Sequence, residues 1–213
     1  MRLFGCRFLF VATLALGLAP AALALTLGQL VGGASFSTGS LTFDHFQATA
    51  AGSTDPMFDD YAVQVLADGF RISGPVSATL GETGTLLLSY DVTTAAPVIT
   101  GASLYSSGIA VGTGSQALAA ESLSGPGNAP LGTLVVYDVA GVGTVPLASA
   151  SFGPVSELSV AKTLQVKSGV FAAVPFVDQR FVVVPEPMTL FLLGAGMTGL
   201  FASGRRRHVL REE

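Results

Sequence analysis

Apolar and polar residues alternate along most of this chain, and the stretch SELSVAKTLQVK shows the pattern most clearly. One face of that stretch holds Leu158, Val160, Lys162, Leu164 and Val166. The opposite face holds the polar residues Glu157, Ser159, Thr163, Gln165 and Lys167. Alternation with a period of two is typical of a β-strand and cannot come from a helix. The stretch is therefore predicted to be a strand with one buried face.

The same alternation predicts strands elsewhere in the chain. The segment TLLLSYDVT places Leu86, Leu88, Tyr90 and Val92 on one side, and TLVVYDV is similar around Val136. Further strands are expected over residues 41–48, 61–66, 98–105 and 170–184, and a short helix is expected over 116–123. Turns rich in glycine and proline separate these segments. Short strands without a long amphipathic helix predict an all-β fold, an antiparallel β-sandwich over residues 25–183.

The first 24 residues have the organisation of a secretory signal peptide. Arg2 and Arg7 supply the positive start, residues 8–18 form an apolar run, and Ala22 and Ala24 form an A-x-A cleavage site. The pattern predicts export through the Sec translocon and cleavage after Ala24. We expect residues 1–24 to be absent from the mature protein.

Cysteine chemistry is excluded from the predicted mature protein. The one cysteine of the chain is Cys6, which lies inside the predicted signal peptide. The mature chain therefore has no disulfide, no thiolate metal site and no cysteine nucleophile. Its core is expected to depend on burial and hydrogen bonding alone.

A second apolar segment lies near the C-terminus, at residues 188–204. These 17 residues carry no charge. A helix of that length spans about 25 Å, close to the hydrocarbon core of about 30 Å, so a single transmembrane helix is predicted. Arg205, Arg206 and Arg207 follow directly and are expected to stay in the cytoplasm. Residues 25–183 are then an ectodomain, and residues 205–213 are a basic cytoplasmic tail.

A proline-rich motif joins the ectodomain to this helix. Val184, Pro185, Glu186 and Pro187 are expected to be extended and exposed, because each proline fixes φ and disfavours helix before it. The motif, the apolar helix and the arginine cluster together resemble the PEP-CTERM sorting signal of Gram-negative bacteria, over residues 184–213. The tail after Arg207 is longer and more acidic than that pattern usually has.

The resemblance implies a membrane-embedded processing enzyme, an exosortase, as partner. It implies that the tail is cut near Val184–Pro187 and that the protein then reaches the cell surface or the extracellular matrix. It also implies an association with exopolysaccharide and biofilm. A permanently anchored type I inner-membrane protein is the alternative that keeps the topology without processing.

The charge of the predicted ectodomain argues against nucleic acid as a partner. Eleven acidic and four basic residues lie between Leu25 and Val184, a net charge of −7. Phosphate binding needs clustered lysine and arginine, and no such cluster occurs there. Six of the ten basic residues of the chain lie instead at its two ends, where they are expected to set the topology.

One histidine falls in the predicted ectodomain, next to an acid, as the pair Asp44-His45. A Ser-His-Asp triad needs an acid from another segment and a nucleophile in a strained elbow, and no G-x-S-x-G motif occurs. His45 is therefore predicted to be a surface histidine on a strand. We expect no catalytic residue at this position.

The densest acidic group comprises Asp55, Asp59, Asp60 and Asp68. Carboxylates in a loop can bind calcium, but this spacing matches no EF-hand or RTX pattern, so a solvated acidic loop is the main prediction. Asp59 and Asp60 are a poor carboxylate pair for glycoside hydrolysis, because adjacent strand residues point to opposite faces. The sequence thus predicts no catalytic, cofactor or metal site.

These observations favour an exported, non-enzymatic protein with a structural or adhesive role at the cell surface or in the matrix. A carbohydrate-binding module or a matrix polysaccharide enzyme is the alternative, because β-sandwiches often bind glycans. The chain has no tryptophan to stack on sugars, so tyrosine or phenylalanine would have to replace it.

Overall fold

A computed structural model describes residues 25–54, 57–95 and 98–185. The predicted signal peptide, the transmembrane helix over 188–204 and the tail over 205–213 lie outside these residues. In the described part a short helix α1 (Leu27–Val31) and two 3-10 turns (Phe58–Asp60, Pro126–Asn128) accompany the strands. The strands are β1 Leu25–Thr26, β2 Phe36–Thr38, β3 Leu41–Gly52, β4 Ala62–Leu66, β5 Gly69–Thr79, β6 Thr83–Thr94, β7 Val98–Ser106, β8 Ile109–Val111, β9 Gln116–Gly125, β10 Ala129–Val139, β11 Gly143–Val145, β12 Leu147–Val155, β13 Glu157–Lys167 and β14 Phe171–Val184.

The strands form two sheets, and every strand pair within them is antiparallel. The order in sheet A is β1-β4-β5-β14-β7-β12, with β8 paired to β14. The order in sheet B is β11-β10-β9-β13-β6-β3-β2. The sheets pack face to face as a sandwich, which confirms the predicted all-β, antiparallel fold.

An aromatic cluster fills part of the space between the sheets. Phe36, Phe43 and Tyr90 come from sheet B, and Phe70 and Phe181 come from sheet A. The Phe43 ring lies 5.3 Å from that of Phe70 and 5.8 Å from that of Phe181, measured between centroids. Edge-to-face and tilted contacts at these distances are favourable beyond the area they bury. The cluster therefore fixes how the two sheets face each other.

Strand β13 behaves as its sequence predicts. Leu158, Val160, Leu164 and Val166 are buried, and Lys162 shares their inward face with 2% of its surface exposed. The strand lies between β6 and β9, so both of its edges are hydrogen-bonded. A lysine thus reaches the centre of the sandwich.

The helix predicted over 116–123 is wrong, because this segment belongs to β9. Its inward residues Ala117, Ala119, Glu121 and Leu123 are buried in alternation. The segment is rich in alanine, which favours helix locally. Pairing with β10 on one side and β13 on the other supplies two ladders of hydrogen bonds, and this tertiary context overrides the local preference.

The last strand leads directly to the predicted sorting motif. Val184 pairs with Val98 in the sheet and is 43% exposed, and Pro185 follows it outside the strand. Glu186 and Pro187 lie outside the described residues. Among the residues that the structure describes, no helix has the length and apolarity needed to span a bilayer.

Candidate functional site

One row of side chains crosses the outer face of sheet A. Arg71 on β5 stands opposite Asp178 on β14, Asp178 stands opposite Tyr105 on β7, and Tyr105 stands opposite Leu147 on β12. Side chains paired in this way across antiparallel strands lie close enough to contact one another. Four strands that are distant in sequence therefore bring a cation, an anion, an aromatic ring and an aliphatic side chain into line.

A bidentate ion pair fixes the middle of this row. The Arg71 Nε donates to Asp178 Oδ1 at 2.6 Å, and Arg71 Nη2 donates to Asp178 Oδ2 at 2.9 Å. The hydrogen bonds to Asp178 raise the pKa of Arg71 above its already high value, against the opposing effect of burial. The guanidinium carbon also lies 4.0 Å from the centre of the Phe176 ring. Both oxygens of Asp178 are therefore held, and the Arg71 side chain is ordered.

An aromatic shelf lies beside the ion pair. The Tyr105 and Phe176 rings are 5.8 Å apart between centroids, with 33° between their planes, and Tyr105 is 38% exposed. Leu147, next to Tyr105, is 58% exposed. Large apolar groups exposed together on a sheet face mark a binding surface more often than isolated ones do.

A cavity of about 310 Å³ opens over this surface and is lined by Ser103, Tyr105, Leu147, Asp178 and Arg180. Arg180 has a half-exposed side chain, and its contact with Asp68 is long, at 3.4 Å. Its guanidinium therefore keeps donors for a ligand. We call this surface the Tyr105 face; it comprises Arg71, Ser103, Tyr105, Leu147, Phe176, Asp178 and Arg180.

The Tyr105 face is not evident from the sequence alone. A local signal is present in β14, where Phe176, Asp178 and Arg180 alternate with the buried Val177 and Gln179. That alternation places one aromatic and two charged groups on the same outer face. The partners on β5, β7 and β12 follow only from strand pairing over long sequence distances.

The outer face of sheet B carries a second, more polar surface. Two neighbouring hollows of about 330 Å³ and 300 Å³ share Gln47, Ser89 and Ala161. Short hydroxyl side chains from β6, β9 and β13 contribute to both linings, and Leu87, which is 47% exposed, is the exposed large apolar side chain among them. This surface, the hydroxyl groove, offers hydrogen-bonding groups but no aromatic shelf. Its lining residues include Gln47, Thr49, Leu87, Ser89, Ser122 and Thr163.

His45 lies at one end of the hydroxyl groove, as an exposed residue at a β-bulge of β3. Its φ is 53°, and the pairing register with β6 shifts at this point. The ring Nδ1 is 3.1 Å from Asp91 Oδ2 and 3.3 Å from Asp44 Oδ1. Ser159 Oγ donates to Asp91 Oδ1 at 2.6 Å and thus contacts the acid instead of the histidine. The contacts therefore do not follow the order of a Ser-His-Asp triad.

One oxygen or nitrogen from each of Asp44, His45 and Asp91 lies within 4.8 Å of the others, a spacing that a metal ion can bridge. Asp44 and His45 are adjacent in the sequence, whereas Asp91 comes from another strand and is brought beside them only by the fold. The histidine is exposed, and the carboxylates are about one-third exposed.

The acidic group predicted as a solvated loop is divided in the structure. Asp59 and Asp60 lie in the 3-10 turn Phe58–Asp60 and not on a strand, and Asp59 Oδ1 accepts a hydrogen bond from Thr26 at 3.0 Å. Asp68 lies in the turn between β4 and β5, next to Arg180. Asp55 lies outside the described residues. Among those described, Asp59, Asp60 and Asp68 are not brought together as a three-ligand group.

Four polar side chains meet in the centre of the sandwich. Lys162 Nζ donates to Glu121 Oε2 in a very short contact and to Gln179 Oε1 at 2.6 Å. The Tyr90 ring is buried near Glu121. Burial lowers the pKa of Lys162, an effect that Glu121 opposes, and burial raises the pKa of Tyr90 well above its ordinary value of 10.0. We call Tyr90, Glu121, Lys162 and Gln179 the core tetrad.

The residues of the predicted targeting signals lie mostly outside the described part of the chain. Val184 and Pro185 are described, and both are exposed. The other predicted signal residues lie beyond the described ranges: Ala22, Ala24, Glu186, Pro187, Arg205, Arg206 and Arg207.

Comparison with known proteins finds likeness in structure alone. No protein-family model matches the chain, and no curated protein matches its sequence. The fold is similar to that of TmCBM61, a carbohydrate-binding module solved with β-1,4-galactotriose, with 13% identity, a TM-score of 0.38, and coverage of 67% of this chain and 89% of the module.

Two further likenesses are more distant. Carbohydrate-binding modules of the β-sandwich superfamily give 10% identity and a TM-score of 0.28, over 70% of this chain and 58% of theirs. The enzymatically active domain of tailspike protein 4 from bacteriophage CBA120 gives 13% identity and a TM-score of 0.29, over 68% of this chain and 20% of its own. These values describe a distant likeness of architecture, so the site is assigned from this chain's own residues.

Proposed function

We propose that this is an exported, non-catalytic protein that binds polysaccharide on the Tyr105 face. The observation that carries the proposal is an exposed tyrosine beside Leu147 and Arg180, at the edge of a cavity of about 310 Å³. Tyrosine presents a rigid apolar ring with a polar tip, and guanidinium presents several donors in a plane. These groups suit a sugar, which has an apolar ring face and a rim of hydroxyl groups.

The ion pair beside the cavity supports binding over catalysis. Both oxygens of Asp178 accept hydrogen bonds from Arg71, and the Asp178 side chain is only 7% exposed. A general acid or base must reach the proton that it transfers. In this arrangement Asp178 orders the surface and leaves Arg180, Ser103 and Tyr105 to contact the ligand.

Affinity electrophoresis through gels containing neutral and acidic polysaccharides tests the proposal. We expect at least one polymer to retard the mature protein, and we expect Tyr105→Ala to weaken its apparent affinity by about tenfold or more, the equivalent of about 1.4 kcal/mol. Arg180→Ala should also weaken binding while leaving the fold intact, because its contact with Asp68 is exposed and long.

Matched variants on the other sheet serve as controls. Leu87→Ala and Tyr137→Ala alter the outer face of sheet B and should leave retardation unchanged. The proposal fails if no polymer retards the protein. It also fails if the sheet B variants abolish retardation while Tyr105→Ala retains it.

We further propose that residues 184–213 sort this protein to the cell surface or matrix through cleavage by an exosortase. The complete motif, apolar segment and arginine cluster support this proposal. The exposure of Val184, the last residue of β14, and of Pro185 directly after it supports it too, because a processing enzyme needs an extended, accessible segment.

Mass spectrometry of the C-terminal peptide, from protein isolated from membrane and extracellular fractions, tests the sorting proposal. We expect a terminus near Val184–Pro187 and no peptide from residues 188–213. A membrane-bound chain that still ends after Arg207 would show a permanent type I anchor instead. Replacing Pro185 and Pro187 by alanine should block the cleavage, while replacing Pro175 in β14 should not.

A further inference from the structure

The core tetrad places a lysine amine against a carboxamide and a carboxylate in the centre of the sandwich. Lys162 Nζ is hydrogen-bonded to Gln179 Oε1 at 2.6 Å and to Glu121 Oε2. The side chains of Lys162 and Glu121 are 1% and 0% exposed, and Gln179 is 1% exposed. Lys162 and Glu121 belong to sheet B and Gln179 to sheet A, so the contact joins the two sheets.

The hydrogen bonding of this cluster is incomplete. Among the described residues, Glu121 Oε1 and Gln179 Nε2 have no hydrogen-bond partner, although both atoms are buried. Unpaired buried polar atoms are costly, and a structural ion pair normally has its remaining atoms satisfied. Glu121 Oε1 is the second oxygen of a carboxyl group that can carry a proton, and Gln179 Nε2 is the nitrogen of the amide. These are the atoms that a transfer reaction at the amide would use.

We propose that Lys162 and Gln179 join in an intramolecular isopeptide bond, with Glu121 moving the proton. The unprotonated Nζ of Lys162 attacks Cδ of Gln179, and a new C–N bond forms. The bond between Cδ and Nε2 then breaks. Nε2 leaves as ammonia, taking the proton that Nζ gives up through the Glu121 carboxyl group. One amine and one primary amide become one secondary amide and ammonia, and no oxidant or other reactant is needed.

The geometry allows the attack with little movement. The Gln179 amide carbon lies one C=O bond, about 1.23 Å, beyond an oxygen that already contacts Nζ. Rotation about the last side-chain torsion of Gln179, which has a broad energy minimum, leaves the carbon in place and turns the face of the amide plane towards the nitrogen. Holding nucleophile and electrophile together in this way replaces a collision by an intramolecular step.

Burial favours the unprotonated Lys162 amine that the attack requires. A buried ion pair becomes a neutral pair when one proton crosses its hydrogen bond, and burial favours the neutral form of lysine. The same burial keeps water away from the amide carbon, so hydrolysis does not compete with the attack by the lysine amine. The product would link β13 to β14 covalently, in a chain whose one cysteine lies in the predicted signal peptide.

Peptide mapping of the full-length chain, expressed in an exporting bacterium, tests the proposal. The reaction lowers the mass by that of one ammonia, about 17 Da. Trypsin does not cut after an acylated lysine, so residues 72–167 should appear joined to residues 168–180. Separate unmodified peptides 72–162, 163–167 and 168–180 in the wild-type protein would overturn the proposal. A loss of water that joins Lys162 to Glu121 would overturn the role of Gln179.

Two variants, each with a matched control, separate the roles of the residues. Gln179→Met removes the electrophile and should restore the full mass, whereas Gln165→Met, on the outer face of β13, should keep the cross-link. Glu121→Gln should also give the full mass, whereas Glu157→Gln at the exposed start of β13 should not. A cross-link that persists in Glu121→Gln would remove Glu121 from the mechanism. If a core variant fails to fold, the wild-type peptide map decides alone.

Discussion

Two tyrosines of this protein show how position decides what one side chain does. Tyr90 points between the sheets, is 2% exposed and packs against Phe46 with 5.1 Å between ring centroids. Its hydroxyl group has no hydrogen-bond partner among the described residues. Tyr105 points outward on β7, where 38% of its surface is exposed. One ring stabilises the core, and the other is available to a ligand.

Replacing Tyr90 by phenylalanine should stabilise the protein. An unpaired buried hydroxyl group costs about 1–3 kcal/mol, so we expect Tyr90→Phe to raise the free energy of unfolding at pH 7 by about 1 kcal/mol. Urea unfolding measures the change. Tyr105→Phe, which alters an exposed ring, serves as control and should change the value by less than about 0.5 kcal/mol.

The same variant should alter the response of the protein to alkali. The pKa of Tyr90 is higher in the folded than in the unfolded chain. Above pH 10 the unfolded chain therefore gives up this proton first, and stability falls as the pH rises. The free energy of unfolding of Tyr90→Phe should therefore fall less above pH 10 than that of the wild type, because the variant lacks this proton. An equal decrease in wild type and variant would contradict the burial of the Tyr90 hydroxyl group.

At the same scale, the sequence predicts a residue's orientation more easily than its partner. Alternation in β13 correctly places Lys162 on the buried face. It does not reveal Glu121, because that residue lies in a segment whose alanines suggest a helix. Only the pairing of β9 with β13 brings the two charges together, opposite each other in the register.

At the scale of elements, β14 connects the parts of this fold. It pairs with β5, β7 and β8, and its inner face carries Gln179 of the core tetrad. Its outer face carries Phe176, Asp178 and Arg180 of the Tyr105 face. The strand predicted over residues 170–184 is confirmed by β14. Its long alternation of apolar and polar residues is typical of a strand and unlike that of a helix.

The close pairing of β5 with β14 can be tested at Gly69. A Cβ atom at this position would lie 1.9 Å from the backbone oxygen of Gln179, so something must shift. We expect Gly69→Ala to lower the free energy of unfolding by about 1–3 kcal/mol, as overpacking in a core does. Gly153→Ala on β12, where a Cβ meets nothing within 4 Å, should be near neutral. Equal effects of both variants would contradict the register of β5 and β14.

At the scale of the whole molecule, the two outer faces of the sandwich differ in chemistry. Sheet A presents rings, an aliphatic side chain and two guanidinium groups, whereas sheet B presents short hydroxyl side chains and carboxylates. The net charge of −7 in the predicted ectodomain makes the two arginines of sheet A a local exception. Binding is therefore expected on sheet A, with sheet B as the face for control variants.

The fold class was predictable from the sequence, but the site was not. Period-two alternation survives in almost every strand, since each has one face in the core. The Tyr105 face depends on contacts such as that of Arg71 with Asp178, which are 107 residues apart. Register over such distances is set by the packing of whole sheets and cannot be read from any one segment.

Tyrosine fluorescence during titration with a polysaccharide tests the central claim most directly, because the chain has four tyrosines and no tryptophan. Tyr61 and Tyr90 are buried, so two tyrosines can report on a ligand at the surface. They are the exposed Tyr105 on sheet A and the half-buried Tyr137 on sheet B. We predict a saturable change that persists in Tyr137→Phe and disappears in Tyr105→Phe. A change that disappears in Tyr137→Phe and persists in Tyr105→Phe would place the ligand on sheet B and contradict the proposed site.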